Sequence, residues 1–310
     1  MEYTEVNITM ENQSMTALIS AFARAWHTKH APVPVYCDTL AERLLGPDYA
    51  AVAGHMAAGA AYFLPGFKGT REEALQQIVC RQLAPSPLGR AAFCEEHLRA
   101  AAAAGCIQYL LLGAGYDTLP YRQPEWLQGM TILELDHPVT AADKLARLIR
   151  AGIAVPENVL RLSADLTQSD WSQALMAQPG FRRDVPTFVS LLGLVYYLPH
   201  DAFTVLLDVL TELLAPGSMI AMDYPEEGFF RASGGQAERQ AQLAQAAGEP
   251  MQSGYTAQGM ADALAGSGFA VTEDLPPEAI TARYFAACNA AQPDAPIAAA
   301  EHVHYCLARK

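Results

Sequence analysis

The spacing of apolar positions along this chain changes near Gly105. Before it, Leu18, Ile19, Phe22 and Trp26 recur at helical spacing and predict a helix over about 14–30, ended by prolines at 32 and 34. Asp38-Thr39-Leu40-Ala41-Glu42-Arg43-Leu44-Leu45 predicts a short capped helix closed by Gly46-Pro47, and another helix follows over about 71–83. The run Pro85-Ser86-Pro87 reads as a breaker. After it, Arg90 to Ala104 forms an alanine-rich helix stopped at Gly105.

Beyond that glycine, short apolar runs alternate with longer helical stretches. Strands are expected at 107–112, 130–135, 159–163, 187–192 and 218–223, with helices at 141–151, 171–176 and 202–214 between them. That alternation is the mark of an α/β fold, a mostly parallel sheet covered by helices. A polar, Gln- and Ala-rich pair of helices from Glu226 to Ala263 breaks the rhythm and reads as a lid over the strand ends. Strands near 269–272 and 302–307 bring the sheet to seven. The expected organisation is one domain over 1–310. It has a helical region to residue 89, a core over 90–225, the lid over 226–263 and closing strands over 264–310.

Composition narrows the function. The chain has 310 residues, 51% apolar and 17% charged, enough for a sizeable core. A net charge of −13 disfavours non-specific binding to nucleic acid, although a local basic site can still hold an anionic ligand. The six cysteines (Cys37, Cys80, Cys94, Cys106, Cys288, Cys306) form no C-x-x-C pair and read as free thiols of a reducing cytoplasm. The opening Met1-Glu2-Tyr3-Thr4-Glu5 lacks the basic and apolar regions of a secretion signal. Ala50 to Phe67 is apolar, but it is built of Ala and Gly, carries His55 and breaks at Pro65, which argues against a membrane span.

Candidate chemistry centres on Tyr109-Leu110-Leu111-Leu112-Gly113-Ala114-Gly115-Tyr116-Asp117-Thr118, with Glu134-Leu135-Asp136-His137-Pro138 about twenty residues later. A buried strand, a tight glycine turn and a second strand ending in a carboxylate flank the crevice where a doubly wound sheet holds a nucleoside. The turn offers backbone N–H groups, and the acid can accept from a ribose. By itself Gly113-Ala114-Gly115 is also an ordinary α/β turn. Thr118 stands where a dinucleotide fingerprint wants a small residue, and no G-x-x-x-x-G-K-[ST] is present.

S-adenosylmethionine, an adenosine without phosphates, fits these residues better. Asp136 supplies the ribose acceptor and His137 borders the adenosine. Asp165 either receives the adenine amino group, with Leu166 packing nearby, or caps the segment beginning near Thr167. Arg90 is the first choice of cation for the methionine carboxylate and Arg24 the second. Tyr196-Tyr197, Tyr116 and Tyr121 are either aromatic core or a wall for the substrate and the sulfonium. His302 and His304 alternate on a strand but lack further metal ligands at suitable spacing, so packing is favoured. Neither a Ser-His-Asp order nor a nucleophile elbow supports hydrolysis.

Several segments, in order along most of the chain, resemble the leucine carboxyl methyltransferase family, which includes bacterial O-methyltransferases of natural-product pathways. They are Asp38-x-Leu40-Ala41-Glu42-Arg43-Leu44, Arg90-x-x-Phe93-x-Glu95, the run from Gln108 through Gly113-Ala114-Gly115-Tyr116-Asp117-Thr118 to Tyr121-Arg122, and Glu134-Leu135-Asp136-His137-Pro138. Ala164-Asp165-Leu166, Tyr197-Leu198-Pro199 and His304-Tyr305-Cys306-Leu307 continue the match. The resemblance implies a Rossmann-like fold with Arg90, Gly113, Asp136, Asp165 and Leu166 lining the S-adenosylmethionine site.

One position departs from the family. In Ser190-Leu191-Leu192-Gly193, Leu192 stands where the family usually carries an acid. If that acid steadies the cofactor's sulfonium or amino group, its loss removes a contact of roughly 1.5–3 kcal/mol. Binding is then weakened, compensated elsewhere or abandoned. The expected function is methylation of a carboxyl group on a small metabolite. A carboxylate is already ionised at neutral pH and needs no strong base. A hydroxyl acceptor would need one, with Tyr197 or His137 as candidates. The alternatives are a catalytically silent cofactor-binding module and an NAD(P)-dependent reductase.

Overall fold

The computed structural model describes residues 14–168, 171–227, 229, 236–246 and 248–310. The opening segment read against a secretion signal, and parts of the expected lid, lie outside the described residues.

Among the described residues seven strands form one sheet in the order β3-β2-β1-β4-β5-β7-β6. They are β1 (Gln108–Leu112), β2 (Thr131–Asp136), β3 (Val159–Ser163), β4 (Thr187–Leu191), β5 (Met219–Pro225), β6 (Ala270–Leu275) and β7 (Val303–Arg309). The first five are parallel, whereas β7 runs antiparallel between β5 and β6. The chain leaves β1 towards β2 and β3, then crosses back to place β4 on the other side of β1. At such a switch point the connections diverge and leave a crevice beyond the strand ends.

Six helices matter below: α1 (Met15–His30), α2 (Pro85–Ala103), α3 (Pro138–Arg150), α4 (His200–Leu213), α5 (Gln236–Ala246) and α6 (Ala257–Gly266). Side-chain alternation along the strands divides the core in two. Tyr109, Leu111, Ile132 and Phe188 pack with α1 and α2, while Leu110, Leu112, Leu133, Val189 and Ile220 pack with α4 and α6. Among the described residues no helix is long and apolar enough to cross a membrane. All six cysteines are free thiols.

Two expectations need correction. Pro85-Ser86-Pro87 does not break a helix but starts one, because a first turn has no partner for the N–H groups that proline lacks. A π-helical turn over Val79–Leu83 leads into it. The helix pair assigned to the lid also separates. Residues of α5 face the strand-end cavity, whereas α6 buries Met260 and Leu264 against the sheet and is part of the core.

Candidate active site

A cavity of about 950 Å³ opens at the switch point. Its floor is the ends of β1, β2 and β4. Its walls come from α1, the π turn and start of α2, α5, and the segment 248–252. Gly113, Ala114, Gly115, Asp117, Asp136, His137, Leu192, Tyr197, Arg24 and Arg90 all line it. Asp165 and Leu166 do not, and Thr167 lines it instead. Tyr116 and Tyr196 reach the cavity, but Tyr121 is buried below it, bonded to Glu134 at 2.9 Å.

The turn after β1 is built for close approach. Gly113 and Gly115 hold φ of +69° and +46°, where side chains are strained, and a Cβ on Gly115 would sit 3.3 Å from Ala17 of α1. Its N–H groups, however, are taken. Gly113 and Ala114 donate to the Leu135 carbonyl at 3.0 and 3.3 Å, and Gly115 donates to the Asp136 carboxylate. The turn therefore offers a ligand open space rather than the donors expected from the sequence.

Asp136 also accepts the His137 amide at 2.6 Å, yet a carboxylate has further lone pairs free for a hydroxyl donor. Burial pushes its carboxyl above the usual range, against the pull of the two amides. His137 is exposed and caps α3 by accepting the Val139 amide at 3.4 Å. Asp165 caps no helix, since residues 166–167 form a turn; within that turn it accepts the amide and hydroxyl of Thr167 at 2.9 and 2.7 Å. Partial burial would raise its carboxyl, but the Thr167 bonds outweigh that and hold it below the usual range.

The two arginines differ in their commitments. Arg24 is buried, with Nε on Asp38 at 2.9 Å and Nη2 on the Tyr116 carbonyl at 2.8 Å. Asp38 in turn accepts from Thr118, so this network fixes the turn after β1. Among the described residues Arg90 makes only long side-chain hydrogen bonds, to Asp223 at 3.3 Å and Ser20 at 3.4 Å, and keeps donors for a ligand. Burial works against its charge, but Asp223 more than offsets this and the guanidinium pKa rises.

Asp223 was not among the residues singled out from sequence. Fully buried within β5, before Tyr224 and Pro225, it accepts the Gly193 amide at 2.6 Å and the Tyr196 hydroxyl at 3.0 Å as well as Arg90. Its signal was an acid closing an apolar run, as Asp136 closes β2. Glu249, Thr16 and Ser20 were also missed. They line the cavity from elements that sequence periodicity does not connect to it.

His304 of β7 and His302, in the turn just before that strand, lie outside the cavity. His304 bonds Glu226 at 2.9 Å and Asp274 at 3.0 Å, and His302 bonds Glu226 at 2.8 Å. Among the described residues no cluster could hold a metal ion.

The profile described as leucine carboxyl methyltransferase matches residues 17–211. YktD of Bacillus subtilis, an inferred S-adenosyl-L-methionine-dependent methyltransferase, is 33% identical over 88% of this chain and 91% of its own. A protein of the same inferred class from Parafrankia is 34% identical over 67% of this chain and 62% of its own. An inferred methyltransferase of Thermobifida fusca shares the fold at 16% identity, with a TM-score of 0.56 over 100% of this chain and 99% of that one. A duf574 family protein of Streptomyces avermitilis does so at 17% identity, with a TM-score of 0.58 over 96% and 98%.

Proposed function

The chain belongs to the leucine carboxyl methyltransferase family of S-adenosylmethionine-dependent methyltransferases, and we propose that its cavity methylates a carboxyl group of a small metabolite. The observation that carries this reading is convergence. The open turn at Gly113–Gly115, the Asp136 carboxylate and the Arg90 guanidinium come from three parts of the chain and face one cavity.

These residues fit the cofactor. The positive-φ turn leaves room where a Cβ would intrude, Asp136 would take the ribose hydroxyls, and Arg90 would take the methionine carboxylate. Arg24, tied to Asp38 and Tyr116, frames the turn instead. His137, Val139, Thr140 and Thr167 would border the adenine. When bound, S-adenosylmethionine supplies an electrophilic methyl group, which passes to a carboxylate oxygen as the sulfur–carbon bond breaks and S-adenosylhomocysteine remains.

The rest of the cavity serves the acceptor. Ile19, Leu83, Pro87, Leu194, Leu243 and Met251 make that part largely apolar, so bound reactants lose water and are held in line. The Tyr197 hydroxyl is a poor base, since burial first of all raises its pKa. His137 is exposed and engaged as a helix cap. An acceptor already ionised suits such a site, and the six free thiols suit a reducing cytoplasm. The test is incubation with methyl-labelled S-adenosylmethionine and a panel of small carboxylic acids and phenols. Label released as methanol by mild base supports a methyl ester. Base-stable label on phenols alone overturns the carboxyl assignment.

A further inference from the structure

The cavity contains a carboxylate that the fold's strand ends do not explain. Glu249 lies in the segment after α5 and lines the cavity together with Leu192, Tyr197 and Arg90. Its carboxylate accepts from the Thr16 hydroxyl and, at 3.4 Å, from the Thr16 amide. Among the described residues it has no cationic partner within ion-pair distance. An acid half-withdrawn from water is held there by the Thr16 hydroxyl and amide, in a cavity that Leu192 lines where the family resemblance led to the expectation of an acid.

Its neighbours show what it faces. Thr16 and Ser20 stand four residues apart on α1, about 6 Å along the helix axis. Thr16 carries Glu249, and Ser20 carries Arg90 at 3.4 Å. One face of α1 therefore presents an anion and a cation one turn apart, with Tyr197 beside both. That pairing of signs is complementary to an α-amino acid headgroup, whose ammonium and carboxylate sit on one carbon and differ in sign.

We propose that Glu249 receives the ammonium of the cofactor's methionine end, from the cap side of the cavity, in place of the acid that Leu192 displaces. This inference rests on the cofactor assignment above. Glu249 is a binding residue contributed by the wall rather than by the sheet, so cofactor affinity depends on how α5 and residues 248–252 sit over the strand ends. The residue that compensates for Leu192 is remote in sequence and adjacent in space.

Calorimetric titration with S-adenosylhomocysteine and with 5′-methylthioadenosine, which lacks the amino acid end, tests this. Glu249→Gln is expected to weaken S-adenosylhomocysteine on the order of ten- to a hundredfold, the worth of one charge-assisted contact. It should leave methylthioadenosine within about twofold, and adding Leu192→Glu should restore much of the loss. Unchanged S-adenosylhomocysteine affinity overturns the inference. So does an equal loss for both ligands, which means that Glu249 only tethers the wall to α1. A wild-type protein that binds neither ligand overturns the cofactor assignment itself, a separate result.

Discussion

Arg90 lies across the face of Gly193: a Cβ built on that glycine would come within 2.4 Å of Nη1 and 2.7 Å of Cζ. Gly193 has φ of +64°, so a side chain there is strained as well as obstructed. Gly193→Ala is expected to lower the unfolding free energy by about 1–2 kcal/mol and to push the guanidinium from its place. S-adenosylhomocysteine affinity should fall at least about tenfold, the value of one displaced charged contact. Thermal denaturation and calorimetry check the two effects separately. Unaltered affinity would show that Arg90 is not a cofactor contact.

Asp223 holds that arrangement from below, receiving Gly193, Tyr196 and Arg90 at once. Asp223→Asn leaves a partly buried guanidinium without its counter-charge. Its expected cost is about 2–4 kcal/mol, below the upper range for buried pairs because Arg90 keeps some solvent contact. Urea unfolding measures it. A loss under about 0.5 kcal/mol, the level of an ordinary surface substitution, would mean the pair contributes little.

How much of this was legible depended on sequence distance. The β1 turn and the acid ending β2 are contiguous motifs, and they fall beside one another as expected. Leu192 reaches the cavity for the same reason. By contrast, Thr16 and Glu249 meet across 233 residues, and nothing in either local pattern announces the contact. Arg24 was readable as a cation near the site. Its partners Asp38 and the Tyr116 carbonyl, which make it a frame element, became visible only when α1 was seen beside the turn. Pro85 and Pro87 were misread because proline's cost applies within a helix and not at its first turn. Asp165 kept two roles open in the sequence because a cap and a ligand contact use the same oxygen atoms.

Stability should fall in mild acid through His27. Burial lowers this imidazole from 6.5 to about 4, and its Nε2 accepts the Val35 amide at 2.9 Å, a bond only the neutral ring can make. Above pH 6.5 the group is neutral in both states and has no effect. As pH falls from 6.5 towards 4 the unfolded chain takes up a proton that the folded chain refuses, so stability declines by about 3 kcal/mol in that window. The free energy of unfolding at pH 7 and pH 4.5 should differ less in His27→Gln than in wild type. Equal slopes would remove His27 from the acid response.

Turnover should be nearly flat from about pH 6 to 9, because a carboxylate acceptor is ionised throughout that range. On the proposed carboxyl reading the Tyr197 hydroxyl only positions the acceptor, so Tyr197→Phe should alter KM more than kcat. A rate that climbs steadily towards pH 9 and is lost in Tyr197→Phe would point to a hydroxyl acceptor deprotonated by that residue.

Titration of the wild-type protein and Asp136→Ala with S-adenosylhomocysteine, with NADH as the control, tests the cofactor assignment most directly. Expected are one micromolar site in wild type, a loss on the order of a hundredfold in Asp136→Ala and no binding of NADH. Failure of the wild type to bind S-adenosylhomocysteine, or tighter binding of NADH, would contradict the assignment of this cavity to S-adenosylmethionine.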